Sequence, residues 1–92
     1  MNYTFPATVF VTTNTQKDQL RHVVSEMAEV MDAIVANNGM IVGEVEQELM
    51  DLTHTLETFW RMRSIGRCAE SAVEELVIKT IRKNSDRGYY GG

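Results

Sequence analysis

Residues 20 to 34, with the sequence LRHVVSEMAEVMDAI, determine the fold of this 92-residue chain. Apolar side chains recur in this stretch at spacings of three and four, which is the period of an α-helix with one apolar face. Glu26 and Glu29 lie three apart beside that apolar stripe, so their carboxylates project from the same side of the helix. The stretch therefore predicts an amphipathic helix with two acids on its flank.

Signals on either side of this stretch predict where the first long helix begins and ends. Asn14 or Thr15 can cap its start, and Asn37-Asn38-Gly39 ends it. A linker over residues 40 to 43 then leads to a second helix with the same period. The predicted inner faces are Leu20, Val23, Val24, Met27, Val30, Met31 and Ile34 on the first helix, and Val45, Leu49, Leu52, Leu56, Phe59 and Trp60 on the second.

The remaining segments complete the predicted architecture. Residues 69 to 84 predict a third helix with basic last turns, and residues 1 to 13 predict a short extended arm because they contain a β-favouring run and the only proline. We expect this arm to pack on the bundle or on a partner subunit. Two long helices and a shorter one enclose little core alone. We therefore expect an all-α helical bundle, a four-helix arrangement completed by homo-oligomerisation.

The same reading divides the chain into three parts. They are the N-terminal arm over residues 1 to 13, a helical domain over 14 to 84 and a flexible tail over 85 to 92. Gly66 is expected to break the helical pattern between the second and third helices, because glycine weakens helix interiors. A single domain of this size has low stability by itself, which favours a homodimer or homotetramer.

Composition excludes several classes of function. A formal net charge of −4 argues against a protein that binds a nucleic-acid backbone, since that role normally needs a basic face. Cys68 is the only cysteine, which excludes an internal disulfide and predicts a reduced, cytoplasmic location. The first residues lack the pattern of a signal peptide, and no stretch reaches the roughly 20 apolar residues of a membrane span. We expect a soluble protein without a membrane partner.

A second acidic pair, Glu48 and Asp51, follows the first pair after 18 intervening residues. If the two helices are antiparallel, four carboxylates converge, and a hard divalent cation such as Mg²⁺ or Mn²⁺ is the simplest group to neutralise them. Acids on a helix flank are also common as solvated surface. The pattern alone therefore leaves a metal site and an ordinary acidic surface both open.

Three blocks of sequence occur in the order and spacing of a known family. They are SEMAEV at residues 25 to 30, EQELMDLTHTL at 46 to 56 and KNSDRGY at 83 to 89. Over about residues 17 to 90, the chain resembles the MazG family of all-α nucleoside triphosphate pyrophosphohydrolases. That family carries an E-x-x-E pair and an E-x-x-D pair on two helices, followed by a helix that ends in a Lys-Asn and Arg element.

The resemblance implies a magnesium-dependent enzyme that hydrolyses a (d)NTP between the α and β phosphates to a (d)NMP and pyrophosphate. It also points to dimers or dimers of dimers. The implied metal ligands are Glu26, Glu29, Glu48 and Asp51. Glu29 and Glu48 are the catalytic candidates, with Glu29 as a possible general base.

The implied substrate contacts are Lys83 and Arg87 with phosphate and Asn84 with phosphate or sugar. Tyr89 is a candidate cover for the base, or an ordering contact for the tail.

Alternative functions stay open at this point. The chain could be a non-catalytic helical oligomerisation or regulatory module, or a related dUTP or phosphoribosyl-ATP hydrolase. Ser25 and Gln47 stand where many members of the family carry a further Glu. The two missing negative charges put a high metal affinity in doubt. His54 lies opposite the apolar stripe of the second helix, so we expect it to be a surface histidine. The pattern does not specify the base or the sugar.

Overall fold

The protein is all-α in the part of the chain that the computed structural model describes, residues 1–65 and 69–91. That part contains four helices and no strand, which confirms the predicted fold class. The helices are α1 (Phe10–Thr13), α2 (Gln16–Ala36), α3 (Gly43–Arg63) and α4 (Ala69–Asp86). None of the described helices is long and apolar enough to cross a membrane. Gly66 and Cys68, on which two sequence predictions rest, lie outside the described residues.

The chain divides into two compact units, one of Asn2–Met62 and one of Arg63–Gly92 together with Met1. The first unit contains α1, α2 and nearly all of α3. The second contains α4. All four acids of the two predicted pairs belong to the first unit, so the candidate metal centre lies within that unit.

Local capping explains the two ends of α2. The Thr15 hydroxyl accepts a hydrogen bond from the Asp18 amide at 3.1 Å, and the Asp18 carboxylate accepts one from the Thr15 amide at 3.4 Å. This reciprocal arrangement satisfies amide groups that the first turn leaves free. At the other end, Asn38 adopts a left-handed φ of 56° and the Gly39 amide donates to the Ile34 carbonyl at 2.9 Å. Both predicted ends of the helix are confirmed.

Helices α2 and α3 pair in antiparallel order. Near the start of α2, the Gln19 side-chain amide donates to the Thr55 carbonyl in the later part of α3, at 3.0 Å. At the far end of α2, the Asn37 side chain donates to Glu44 in the first turn of α3, at 3.2 Å. The buried apolar residues of this helical hairpin are Val23, Val30, Ala33, Val45 and Met62.

The N-terminal segment differs from the predicted extended conformation, because residues 10 to 13 form one helical turn. The predicted extended conformation is wrong there. The hydroxyls of Thr12 and Thr13 both donate to the Val9 carbonyl at 3.1 Å, which stabilises the turn locally. Side chains of Val and Thr favour strands only where a neighbouring strand supplies partners. The described residues contain no such strand.

The residues before α1 pack on α3. The amides of Thr4 and Phe5 donate to the Glu57 carboxylate at 2.7 and 3.1 Å, and the Phe5 ring stacks on His54 with 4.5 Å between ring centroids. Arg61 donates to the Phe5 carbonyl and lies 4.3 Å above the ring of Tyr3. Of the two packing sites expected for this segment, the hairpin of the same chain is the one observed.

The apolar stripe of α2 is only partly buried. Val23 and Val30 pack inside the hairpin as predicted, whereas four of the other predicted inner residues and Val35 remain exposed. These five residues are 48 to 74% exposed, and we call them the outer stripe: Leu20, Val24, Met27, Met31 and Val35. The apolar residues of α2 occupy two adjacent sides of the helix, and packing against α3 buries only one of these sides. The outer stripe is therefore available for a further contact.

In the second unit, α4 ends two residues beyond the predicted Asn84. Gly88 has a φ of 76°, and the Tyr89 amide donates to the Asn84 carbonyl at 3.0 Å. Glycine closes a helix in this way at little steric expense. At the other end of α4, the amino group of Met1 pairs with Glu70 and Glu74.

Replacing Gln19 by Ala should destabilise the hairpin strongly. Gln19 is fully buried, so the change leaves a small cavity and removes the bond to the Thr55 carbonyl. We expect the free energy of unfolding to fall by about 2 to 4 kcal/mol. Urea denaturation at matched protein concentration measures this, with Glu46→Ala at an exposed position of α3 as the control. Equal effects of the two substitutions would contradict the role given to Gln19.

Candidate metal centre

Three carboxylates from the two long helices meet in the first unit. Glu26 and Glu29 come from α2 and Glu48 from α3, and each offers an oxygen within 4.8 Å of the others. The antiparallel hairpin places the middle of α2 beside the first half of α3, which explains why residues so far apart in sequence meet. We call these three residues the acidic cluster. Three of the four predicted metal ligands are therefore together.

Two oxygens of the acidic cluster are buried and have no partner. They are Oε2 of Glu26 and Oε2 of Glu48. The other oxygen of Glu26 lies 3.3 Å from Nε2 of His22, one turn earlier on α2. A buried carboxylate oxygen without a donor or a cation is unfavourable, because it has lost its hydration without replacement.

The same crowding raises the pKa of two of the acids. Burial is the main cause that raises the pKa of Glu26, followed by a hydrogen bond with Glu29 and repulsion from it. Burial also leads the causes that raise the pKa of Glu48, followed by repulsion from Glu29 and Asp51. Both shifts have the sign expected when like charges share a poorly hydrated space.

Asp51, the fourth predicted ligand, stands next to the acidic cluster but is not part of it. Its Oδ1 accepts a hydrogen bond from the Gln47 side chain at 3.3 Å. Gln47 lies one turn before Asp51 on the same face of α3, so this bond holds the Asp51 carboxylate within the helix surface. The negative charge of Asp51 still contributes to the raised pKa of Glu26 and Glu48.

The donor chemistry of the acidic cluster suits a hard divalent cation. All its donors are carboxylate oxygens, the ligands that Mg²⁺ and Mn²⁺ prefer. Ligands of a Mg²⁺ ion are about 3 Å apart when adjacent and about 4.2 Å apart when opposite, because each bond is close to 2.1 Å. The oxygens of the cluster lie within 4.8 Å of one another, so the side chains would have to move closer together to share one such ion.

A cavity opens on each side of the acidic cluster. One has a volume of about 160 Å³ and is lined by Glu26 and Asp51 together with His22 and His54. The other has a volume of about 280 Å³ and is lined by Glu29 and Glu48 with two further acids, Asp32 and Glu44. The second cavity is strongly anionic, so an anionic ligand could enter it only together with cations.

The predicted substrate contacts lie in the second unit. Lys83 and Asn84 belong to the last turn of α4, and Arg87 and Tyr89 belong to the turn that follows. The Lys83 carbonyl accepts from the Arg87 amide at 3.2 Å, so the backbone of this element also closes the helix. Tyr89 is 66% exposed. The roles predicted for these four side chains remain predictions.

The sequence reading missed the part of the site formed by histidine. His54 was expected on the surface, yet it is half-buried, stacks on Phe5 and has a buried Nε2 without a partner. The N-terminal segment covers His54, and a helical projection of α3 alone does not show that contact. The sequence did contain a signal for these histidines. His54 follows Asp51 by three residues and His22 precedes Glu26 by four, so each histidine shares a helix face with one of the predicted acids.

Comparison of the chain with protein-family models, with curated proteins and with solved structures gives no match.

Neutralising Glu48 should stabilise the metal-free protein. A raised pKa means that the folded chain binds this proton more tightly than the unfolded chain, so stability is lost as the pH rises through the folded-state pKa. In EDTA at pH 7, we expect Glu48→Gln to melt at a higher temperature than the wild type. The difference should shrink as the pH falls toward the ordinary value of 4.5.

Thermal unfolding followed by circular dichroism between pH 4.5 and 8 measures this difference. Glu46→Gln is the matched control, because Glu46 is exposed on the same helix and outside the acidic cluster. A lower melting temperature for Glu48→Gln than for both other proteins at pH 7 would show that Glu48 is not under repulsion.

Proposed function

We propose that the protein is a Mg²⁺-dependent nucleoside triphosphate pyrophosphohydrolase, which converts a (d)NTP to a (d)NMP and pyrophosphate. The observation that carries this proposal is the acidic cluster, with two buried carboxylate oxygens that lack any partner. Support also comes from the order of sequence blocks shared with the MazG family. Both lines involve the same acids, which the sequence pattern singles out and the helical hairpin brings together.

The proposed roles follow from the donors that each residue offers. Glu26, Glu29 and Glu48 would hold Mg²⁺, and Asp51 would complete the anionic side of the site. Bound Mg²⁺ supplies charge neutralisation on phosphate oxygens and lowers the pKa of water. Glu29 is the exposed member of the acidic cluster, so we assign to it the removal of a proton from the attacking water.

The substrate contacts that the family resemblance implies are basic and polar residues of α4 and the turn after it. We propose that Lys83 and Arg87 bind phosphate oxygens, where negative charge develops during cleavage of the anhydride. Asn84 would bind phosphate or sugar, and Tyr89 would cover the nucleoside. Arginine suits this role because its planar guanidinium bonds phosphate through two donors.

The direct test is pyrophosphate release from a panel of ribo- and deoxyribonucleoside triphosphates. We expect release with Mg²⁺ and none in EDTA, together with a nucleoside monophosphate in equal amount. Glu48→Gln should reduce the rate by more than about 100-fold, since loss of a metal ligand exceeds the 10 to 100-fold typical of outer-shell partners. Glu46→Gln should keep the wild-type rate.

Absence of release from every triphosphate, in a protein that circular dichroism shows to be folded, would reject the enzyme. The remaining candidate would be a non-catalytic oligomerisation module, which the exposed outer stripe favours. Orthophosphate without pyrophosphate as product would instead identify another phosphohydrolase. A related dUTP or phosphoribosyl-ATP hydrolase would appear as activity confined to that one substrate.

We also propose that the protein acts as a homo-oligomer assembled through the outer stripe. The five residues of this stripe follow spacings of four, three, four and four on α2, which is the period of a helix–helix seam. A second copy is the simplest partner, because it offers the same stripe in a symmetric contact. Such pairing would build a four-helix arrangement from two hairpins.

Val24→Glu should dissociate this assembly. Val24 is 64% exposed in the single chain, and a charge at the centre of an apolar seam is costly to desolvate. Sedimentation equilibrium should show a monomer for Val24→Glu and a dimer or tetramer for the wild type. Ser25→Glu, which adds the same charge one position away from the outer stripe, should leave the assembly intact. A monomeric wild type at micromolar concentration would reject the seam.

A further inference from the structure

The smaller of the two cavities adjoins the acidic cluster but is built for a different kind of ligand. Glu26 belongs both to the cluster and to the wall of this cavity. The rest of the wall is mostly aromatic and hydroxyl-bearing, from the segment around α1 and from the facing sides of α2 and α3. A molecule in this cavity would therefore lie immediately beside a metal-bound group.

The volume of this cavity matches one aromatic ring. It measures about 160 Å³. A cavity of about 150 Å³ inside another protein holds one benzene molecule, and drug-sized ligands need about 300 Å³ or more. One six-membered ring therefore fills the space between the walls, whereas a fused pair of rings would extend out of the cavity mouth.

The walls offer both stacking surfaces and hydrogen-bonding groups. Phe10 meets His22 edge to face with 5.6 Å between centroids, and both line the cavity. His54 lines it too, and its buried Nε2 has no partner. The hydroxyls of Thr8 and Thr58 lie 3.2 Å apart on the same wall. This lining suits a planar heterocycle with polar edges better than a hydrocarbon ring.

We infer that this cavity binds the base of the substrate and that it selects pyrimidine over purine nucleotides. The inference rests on the proposed function, because the triphosphate of such a substrate has to reach the neighbouring acidic cluster. A base in the cavity is connected to its phosphates through one sugar. Glu26 belongs to both the cavity wall and the acidic cluster, so the two places are adjacent. Because the space between the cavity walls matches one ring, we expect pyrimidine nucleotides to bind more tightly than purine nucleotides.

Binding of nucleosides without phosphate tests the cavity apart from hydrolysis. The ¹⁵N-labelled full chain, in EDTA, is titrated with deoxycytidine, deoxyuridine, thymidine, deoxyadenosine and deoxyguanosine. We expect the dissociation constants of the pyrimidine nucleosides to be at least about tenfold lower than those of the purine nucleosides. The amide shifts should concentrate at residues 8, 10, 22 and 54.

A variant that fills the cavity sharpens this test. Thr8→Met adds volume at the wall, so pyrimidine binding should weaken by about tenfold or more. Thr12→Met is the matched control, because Thr12 is exposed on α1 and does not line the cavity. Thr8→Val removes the hydroxyl and keeps the size, so it should bind more tightly than Thr8→Met. Thermal unfolding confirms that each variant is folded.

Equal or tighter binding of purine nucleosides would overturn the inference, and so would wild-type binding by folded Thr8→Met. Pyrophosphate release without this selectivity would reject the pyrimidine cavity and leave the proposed hydrolase standing. Selective nucleoside binding without any release would reject the hydrolase and support the cavity.

Discussion

Repulsion among carboxylates in a poorly hydrated space is the constraint on which the rest of this structure depends. The acidic cluster exists only because the antiparallel hairpin brings the middle of α2 against α3 and removes water from Glu26 and Glu48. Without a cation, the chain must meet this repulsion with protons or with lost stability. A cluster of this kind is therefore destabilising for the fold as long as protons or a cation do not neutralise it.

The hairpin can tolerate this repulsion because its other contacts are well satisfied. Gln19 links α2 to α3 through a buried hydrogen bond, and local caps end α2 without help from other elements. The N-terminal segment adds a second layer on α3 through Glu57 and His54. The segment also places Thr8 and Phe10 in the wall of the small cavity. One short stretch of chain thus both stabilises α3 and shapes the space beside the acids.

Local signals predicted the ends of α2 and the shared flank of Glu26 and Glu29, because capping and helical period depend on near neighbours in sequence. The meeting with Glu48 was predicted only on the condition that the two helices are antiparallel, and the fourth expected member, Asp51, is not part of the cluster. The half-buried state of His54 was not predictable in this way, since its cover comes from residues almost 50 positions earlier. The outer stripe shows a different limit. Periodicity indicates that Val24 and Met31 lie on an apolar side, but it does not indicate whether the same chain or another one covers that side.

Helix α2 contributes residues to several surfaces at once, and this limits the positions at which its side chains can be exchanged. One sector packs inside the hairpin, a second carries the acids, and a third forms the outer stripe. The exposed residues outside these sectors and outside the cavity walls in the middle of the helix are Arg21, Ser25 and Ala28. They follow spacings of four and three, so they form a single line along the helix. Side chains in the central part of α2 can therefore be exchanged without touching the core, the acids or the outer stripe only along that line.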